Sequence, residues 1–143
     1  MAGGDLAAAE QNFRAGLEIR EQLVAMAPGN TGWQRDLGMS YNRLGDVQLA
    51  ADDPIAAEES YRTGLEIAAR LAATDPSNAG WQRDAYIFSY KMARLYRDHG
   101  RKSDASASIE DAILRCLALI EIAPNNSRFQ TDLRVLQAFQ KAL

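Results

Sequence analysis

The sequence has 143 residues, of which 47% are hydrophobic and 24% charged, a composition typical of one globular domain. Sixteen basic and nineteen acidic residues give a net charge of −3 with no run of like charge, so we expect neither nucleic-acid binding nor membrane binding. A single Cys and a single His exclude an internal disulfide and a His/Cys zinc site within one chain. The start of the chain lacks a signal-peptide pattern, and no apolar stretch reaches the roughly 18 residues of a spanning helix, so we expect a cytoplasmic protein.

Six helices are predicted in chain order, at about 5–26, 31–50, 54–74, 79–98, 102–122 and 127–142. The second helix follows Asn30, a favourable N-cap. The third begins at Pro54 after Asp53, which is the usual order of a capping residue and a first-turn proline. Pro76 ends it, because proline cannot continue the backbone ladder. No segment shows the alternation of a strand, so an all-α fold is predicted.

A repeat of 48 residues (81 − 33 for the two tryptophans) runs through these helices without a gap. The pentapeptide GWQRD at 32–36 returns at 80–84, and GLEI at 16–19 returns at 64–67. Four positions align in three copies: Pro28, Pro76 and Pro124; Asn30, Asn78 and Asn126; Trp33, Trp81 and Phe129; Asp36, Asp84 and Asp132. The period predicts two helices in each repeat.

The repeat resembles the tetratricopeptide family in its long-period form, which occurs in large bacterial multidomain proteins. The family pattern is carried by Leu37-Gly38-x2-Tyr41, Ala57-x3-Tyr61 and Pro76. Relative to that pattern the repeat has two insertions of seven residues. Each insertion is about two helical turns, so the apolar residues on either side of it stay on the same face of the helix. The resemblance implies a right-handed α-solenoid of antiparallel helix pairs. It divides a single domain, residues 1–143, into an orphan second helix (5–26), repeats at 30–77 and 78–125, and a C-terminal capping helix (126–143).

The repeated tryptophans and charges have simple structural interpretations. Trp33 and Trp81 are predicted to anchor each first helix against the preceding helices, with a ligand-stacking role as the alternative. The Arg-Asp pair that follows each tryptophan lies where successive repeats stack, so the Arg of one copy can pair with the Asp of the next. The alternative is a solvated charged face, which contributes little to stability.

Catalytic groupings are not evident in the sequence, and we expect no enzyme activity and no cofactor. His99 is predicted in an exposed turn, and Cys116 in the apolar face of a helix as a buried thiol. Without His99 no Ser/His/Asp arrangement can be built, and there is no glycine-rich phosphate loop.

The family resemblance implies a concave groove that binds a peptide or a helix, and therefore a non-catalytic interaction scaffold within a larger bacterial regulatory protein. The alternative function is a helical small-molecule-binding or enzyme-associated domain. The positions carried over to the groove are Arg35, Met39, Asn42, Arg43, Asp46, Arg83, Ile87, Tyr90, Lys91, Arg94, Val135 and Phe139. This set is basic and aromatic, so an acidic partner segment with an apolar anchor is expected. Met39 replaces the asparagine of the family's carboxylate clamp, which argues against a chaperone adaptor.

The two ends of the array differ. Gln130, Arg134, Gln137 and Lys141 give the last helix a polar outer face, as a terminal unit of a solenoid requires. The first helix of the chain aligns with the second helix of a repeat, and the first helix of that repeat is absent. The residues Ala9, Phe13 and Leu17 are therefore predicted to be uncovered. Either the chain comes from a longer array, or this helix forms a homodimer.

Overall fold

The computed structural model describes residues 3–143, so the first two residues of the predicted domain lie outside the described residues. The described residues form six α-helices and no strand. The helices are α1 (Gly3–Met26), α2 (Thr31–Ala50), α3 (Pro54–Thr74), α4 (Ala79–Asp98), α5 (Lys102–Ile122) and α6 (Ser127–Ala142). The all-α prediction is confirmed, and the predicted bounds differ only at the start of α1.

Three asparagines cap the helices that begin each repeat. The side chain of Asn30 accepts a hydrogen bond from the backbone N–H of Trp33 at 3.0 Å, and Asn78 does the same for Trp81 at 3.0 Å. Asn126 accepts from the backbone N–H of Phe129 at 3.4 Å. Each cap satisfies a donor that has no partner within its helix, which explains why these helices begin 48 residues apart.

The turns inside the repeats share a left-handed residue. Asp52 has a φ of 61° and Gly100 a φ of 73°, and the two positions are one repeat apart. Glycine adopts this backbone region without steric cost, whereas Asp is one of the few other residues that tolerate it. The next residue, Asp53, caps α3 by accepting from the backbone N–H of Ala56 at 3.2 Å, as predicted.

The chain consists of two compact units, of which one ends at Leu71 and the other begins at Ala72. In the first unit α1 packs on α2, and α2 contacts α3 through Tyr61, whose hydroxyl donates to Asp46 at 2.6 Å. In the second unit α4 packs on α5, and α5 packs on α6. Helices therefore pair with their neighbours in the chain, as expected for an all-α helical repeat.

The second unit has an apolar core to which all three of its helices contribute. Tyr86, Ile109, Cys116 and Leu119 are at most 1% exposed, and they pack with Leu136 of α6. Tyr86 occupies the repeat position of Gly38, and its ring is accommodated beside the small side chains of Ala112 and Cys116 in the same cluster. A large residue at this position is thus compatible with a closely packed helix pair.

The outer face of α6 is polar, as predicted for a capping helix. Gln130, Arg134, Gln137 and Lys141 are all exposed.

No helix among the described residues is both long enough and apolar enough to cross a lipid bilayer.

The prediction that the stripe on α1 is uncovered is wrong. Leu17 is only 8% exposed, and Ala9 and Phe13 are partly buried. The physical reason is that this side of α1 faces α2: Glu21 accepts from the Tyr41 hydroxyl at 2.5 Å. The stripe belongs to the packing between the helices of the first unit, and the homodimer that it was expected to form stays a prediction.

Candidate interaction surfaces

Aromatic and basic side chains of α4 and α6 form one surface in the second unit. We call it the α4–α6 face and define it by Ile87, Tyr90, Lys91, Arg94, Arg97 and Val135, which lie next to the buried ring of Phe139. The rings of Tyr90 and Phe139 meet edge to face, with centroids 5.6 Å apart and an interplanar angle of 86°. The Arg94 guanidinium carbon lies 5.7 Å from the Tyr90 centroid, and that of Arg97 lies 4.7 Å from the Phe139 centroid. These are the distances of cation–π contacts.

The members of the α4–α6 face differ in accessibility. Arg94 and Arg97 are exposed, and Val135 is 46% exposed. Ile87, Tyr90 and Lys91 are partly buried. Phe139 is 7% exposed, so its predicted place in the lining of the groove is wrong. It belongs to the core and contacts the Tyr90 ring edge to face, because the rotation of α6 turns this position inward.

Arg97 was missed by the sequence reasoning. The groove positions follow from the family resemblance and do not include this one, and its repeat position in α2 holds Leu49, which gives no hint of a charge. The spacing of three and four residues that joins Tyr90 to Arg94 reaches Arg97 when it is continued by one step, so the helical period alone could have found it.

Arg83 ties α4 to α6. Its Nε donates to Asp132 Oδ2 at 2.9 Å and its Nη2 to Asp132 Oδ1 at 3.4 Å, while the Tyr86 hydroxyl also donates to Oδ2. The hydrogen bonds to Asp132 raise the pKa of the Arg83 guanidinium, and burial raises the pKa of the Tyr86 phenol. Arg83 and Asp132 therefore confirm the predicted pairing of one repeat with the next, and this arginine is engaged within the fold.

The predicted groove residues of the first unit lie on α2 at helical spacing. Arg35 and Arg43 are exposed, whereas Met39 and Asn42 are partly buried. They keep three- and four-residue steps along one side of the helix.

A polar cavity of about 700 Å³ lies among α1, α2 and α3. Its lining includes Arg14, Glu18, Glu21, Tyr41 and Glu59. Burial, together with the hydrogen bond to Glu21, raises the pKa of Tyr41 to about 12. The sequence gives no sign of this cavity, because its lining comes from three helices whose relative rotation the sequence does not reveal.

The repeated GWQRD motif fastens the start of each first helix. The side-chain amide of Gln82 donates to the Ala72 carbonyl at 2.8 Å, and that of Gln130 donates to the Pro124 carbonyl at 2.6 Å. Gln34 donates in the same way to the Pro28 carbonyl. Trp33 is partly buried beside α1, where it lines a pocket with Ile19. The glutamine thus holds backbone that precedes its helix, and Trp33 lies next to α1, the helix before its own.

The two side chains weighed as possible catalytic groups, His99 and Cys116, differ in exposure. His99 is exposed at the end of α4, with Nδ1 2.8 Å from the Leu95 carbonyl oxygen. Cys116 is fully buried, and its burial raises the pKa of the thiol. Within residues 3–143, no three His, Cys, Asp or Glu side chains are grouped so as to hold a metal ion.

No family model matches the chain, and no curated protein sequence matches it.

Proposed function

We propose that the protein is a non-catalytic interaction module of the tetratricopeptide type and that it binds an acidic peptide or helix through the α4–α6 face. The observation that carries this proposal is the pair of edge-to-face rings, Tyr90 and Phe139, with the guanidinium groups of Arg94 and Arg97 against them. Two rings held rigidly beside cations resemble the aromatic and arginine clusters that dominate binding energy at protein interfaces.

The charge of this face supports an acidic partner. Lys91, Arg94 and Arg97 bring positive charge to a face of a protein whose net charge is −3. Arg97 forms an ion pair with Asp98, in which Nε lies 3.0 Å from Oδ1. Val135, 46% exposed, gives the face an accessible apolar contact. A segment with carboxylates around one Phe or Leu would match both properties.

A double charge reversal tests the proposal. The Lys91→Glu/Arg94→Glu protein should bind labelled acidic peptides that contain one Phe or Leu about tenfold or more weakly than the parent, and the loss should be larger at low salt. Fluorescence anisotropy measures the affinity, and circular dichroism checks that the variant is folded. Lys102→Glu/Arg128→Glu is the matched control, because it makes the same change in net charge at two exposed cations of the same unit outside the face. Equal affinity of the parent and the double variant would eliminate the α4–α6 face as the binding surface.

A second candidate function, binding of a small molecule, is favoured by the cavity among α1, α2 and α3. A volume of about 700 Å³ is within the range of ligand pockets. We rank it second because charged side chains such as Arg14, Glu18 and Glu59 line the cavity, whereas ligand pockets are mostly apolar. Affinity capture followed by mass spectrometry separates the two functions, since recovery of metabolites without any peptide or protein would favour this candidate.

A further inference from the structure

A second pocket lies in the first unit, at α1 and the start of α2. A pocket of about 350 Å³, the α1 pocket, is lined by Gly16, Ile19, Arg20, Leu23, Trp33 and Asp36. Ile19 is 60% exposed, and Met26, further along α1, is 79% exposed. The pocket therefore combines accessible apolar surface with one acidic and one basic side chain.

The repeat gives a comparison for this pocket elsewhere in the chain. A shift of two periods, 96 residues, aligns the six lining positions in sequence with Ala112, Arg115, Cys116, Leu119, Phe129 and Asp132. Three of the six positions keep a similar side chain: Leu23 aligns with Leu119, Trp33 with Phe129, and Asp36 with Asp132. The shifted site belongs to the second unit, where Ala112, Cys116, Leu119 and Phe129 are all part of the apolar core.

Two side chains of α4 occupy the shifted site. Tyr86 is fully buried in the same cluster, and its hydroxyl donates to Asp132. Arg83, three residues earlier on the same side of α4, donates to Asp132 at 2.9 Å. A helix with Arg and Tyr three residues apart thus fills the apolar floor with a ring and neutralises the aspartate.

We propose that the α1 pocket is the docking site for an amphipathic helix of a partner protein that carries an Arg and, three residues later, a Tyr. Asp36 stands at the position of Asp132 and supplies the complementary charge for that arginine. Arg20 stands at the position of Cys116, with Nη1 donating to the Gly16 carbonyl at 3.2 Å. Its planar guanidinium offers a cationic surface to the incoming ring.

The probe is a synthetic peptide with the sequence of residues 79–98 and the change Trp81→Phe. It is added to the full chain carrying the same change, so that Trp33 is the one tryptophan left of the two. Phe at this position has a precedent in Phe129 of the third copy. The emission of Trp33 should shift to shorter wavelength and saturate, because the docked helix removes the indole from water.

Two changes test the chemistry of docking. A peptide with Arg83→Ala and Tyr86→Ala should bind at least about tenfold more weakly than the parent peptide. In the full chain, Asp36→Asn should weaken the binding of the parent peptide. It should not change the binding of the Ala-substituted peptide, because that peptide lacks the arginine that pairs with Asp36. Ile19→Glu places a charge on the accessible floor of the pocket and should abolish the shift.

Three results would overturn the proposal. One is an absence of saturation, and another is equal binding of the parent and the Ala-substituted peptides. The third is self-association of the full chain, measured by light scattering, that Ile19→Glu abolishes, since a second copy would then occupy the pocket.

Discussion

Replacing Gly45 with Ala should destabilise the protein, although this change in the interior of a helix normally stabilises it. A Cβ on Gly45 would lie 2.5 Å from Cε1 and 2.6 Å from Cδ1 of Tyr61, far inside van der Waals contact. The ring has little room to retreat, because Tyr61 is 2% exposed and its hydroxyl donates to Asp46 at 2.6 Å. Either α2 and α3 move apart or the Tyr61 side chain leaves its position.

The opposing contributions can be estimated. Ala in place of Gly gains about 1 kcal/mol of helix propensity. Overpacking costs about 1–3 kcal/mol, and loss of the hydrogen bond from Tyr61 to Asp46 adds about 1 kcal/mol. We therefore expect a net loss of about 1–3 kcal/mol in the free energy of unfolding. Gly38 of the same helix is the control, because its Cβ would lie 3.5 Å from Ile67 Cγ2, an ordinary contact. Gly38→Ala should gain up to about 1 kcal/mol.

Urea unfolding followed by circular dichroism measures both variants, and a double-mutant cycle identifies the cause. One repeat later the chain has Ala93 and Ile109 at the positions of Gly45 and Tyr61. Gly45→Ala should therefore be close to neutral, or stabilising, when it is introduced into the Tyr61→Ile protein. If Gly45→Ala stabilises the parent protein as much as Gly38→Ala does, the steric reasoning is refuted.

Three further predictions concern single side chains. The folded pKa of Tyr41, about 12, lies above the ordinary value of 10.0, so its stabilising contribution is complete below pH 10 and is lost as the pH rises to about 12. Urea unfolding of Tyr41→Phe should show a smaller fall in stability over that range, and an unchanged fall would contradict the raised pKa. Cys116 should react with a disulfide reagent in the unfolded chain but very slowly in the native protein, because burial and a raised pKa suppress its thiolate. A rapid reaction of the native protein would show that the thiol is accessible. Asn126→Ala should cost about 1 kcal/mol in the free energy of unfolding, whereas Asn126→Asp should cost little, and equal losses would rule out capping as the reason.

The helices could be predicted closely because their signals are local. Asn30, Asn78 and Asp53 mark starts within a few residues of sequence, and the gapless repeat transfers each boundary to the next copy. The pairing of Arg83 with Asp132 followed from the same register, since both positions recur in the repeat. Such information needs no knowledge of how the helices are rotated against each other.

The surfaces were harder to predict because they depend on helix rotation. Phe139 was assigned to the groove by its position in the repeat, but the rotation of α6 buries it. Leu17 was assigned to an uncovered stripe, but α1 turns that stripe toward α2. The hydrogen bond from Tyr41 to Glu21 joins residues 20 apart in sequence, so no local pattern announces it. Periodicity defines which residues share a face, and only the packing decides what covers that face.

The packing of helices on their neighbours in the chain has a consequence for folding kinetics. The pairs α4 with α5 and α5 with α6 are joined by turns of three and four residues, and α1 is joined to α2 by four. Closing such short loops loses little chain entropy, and a fold dominated by local contacts reaches its native state in about milliseconds or less. Chains that fold this quickly spend little time with the apolar stripes of their helices exposed, which limits aggregation between newly made copies.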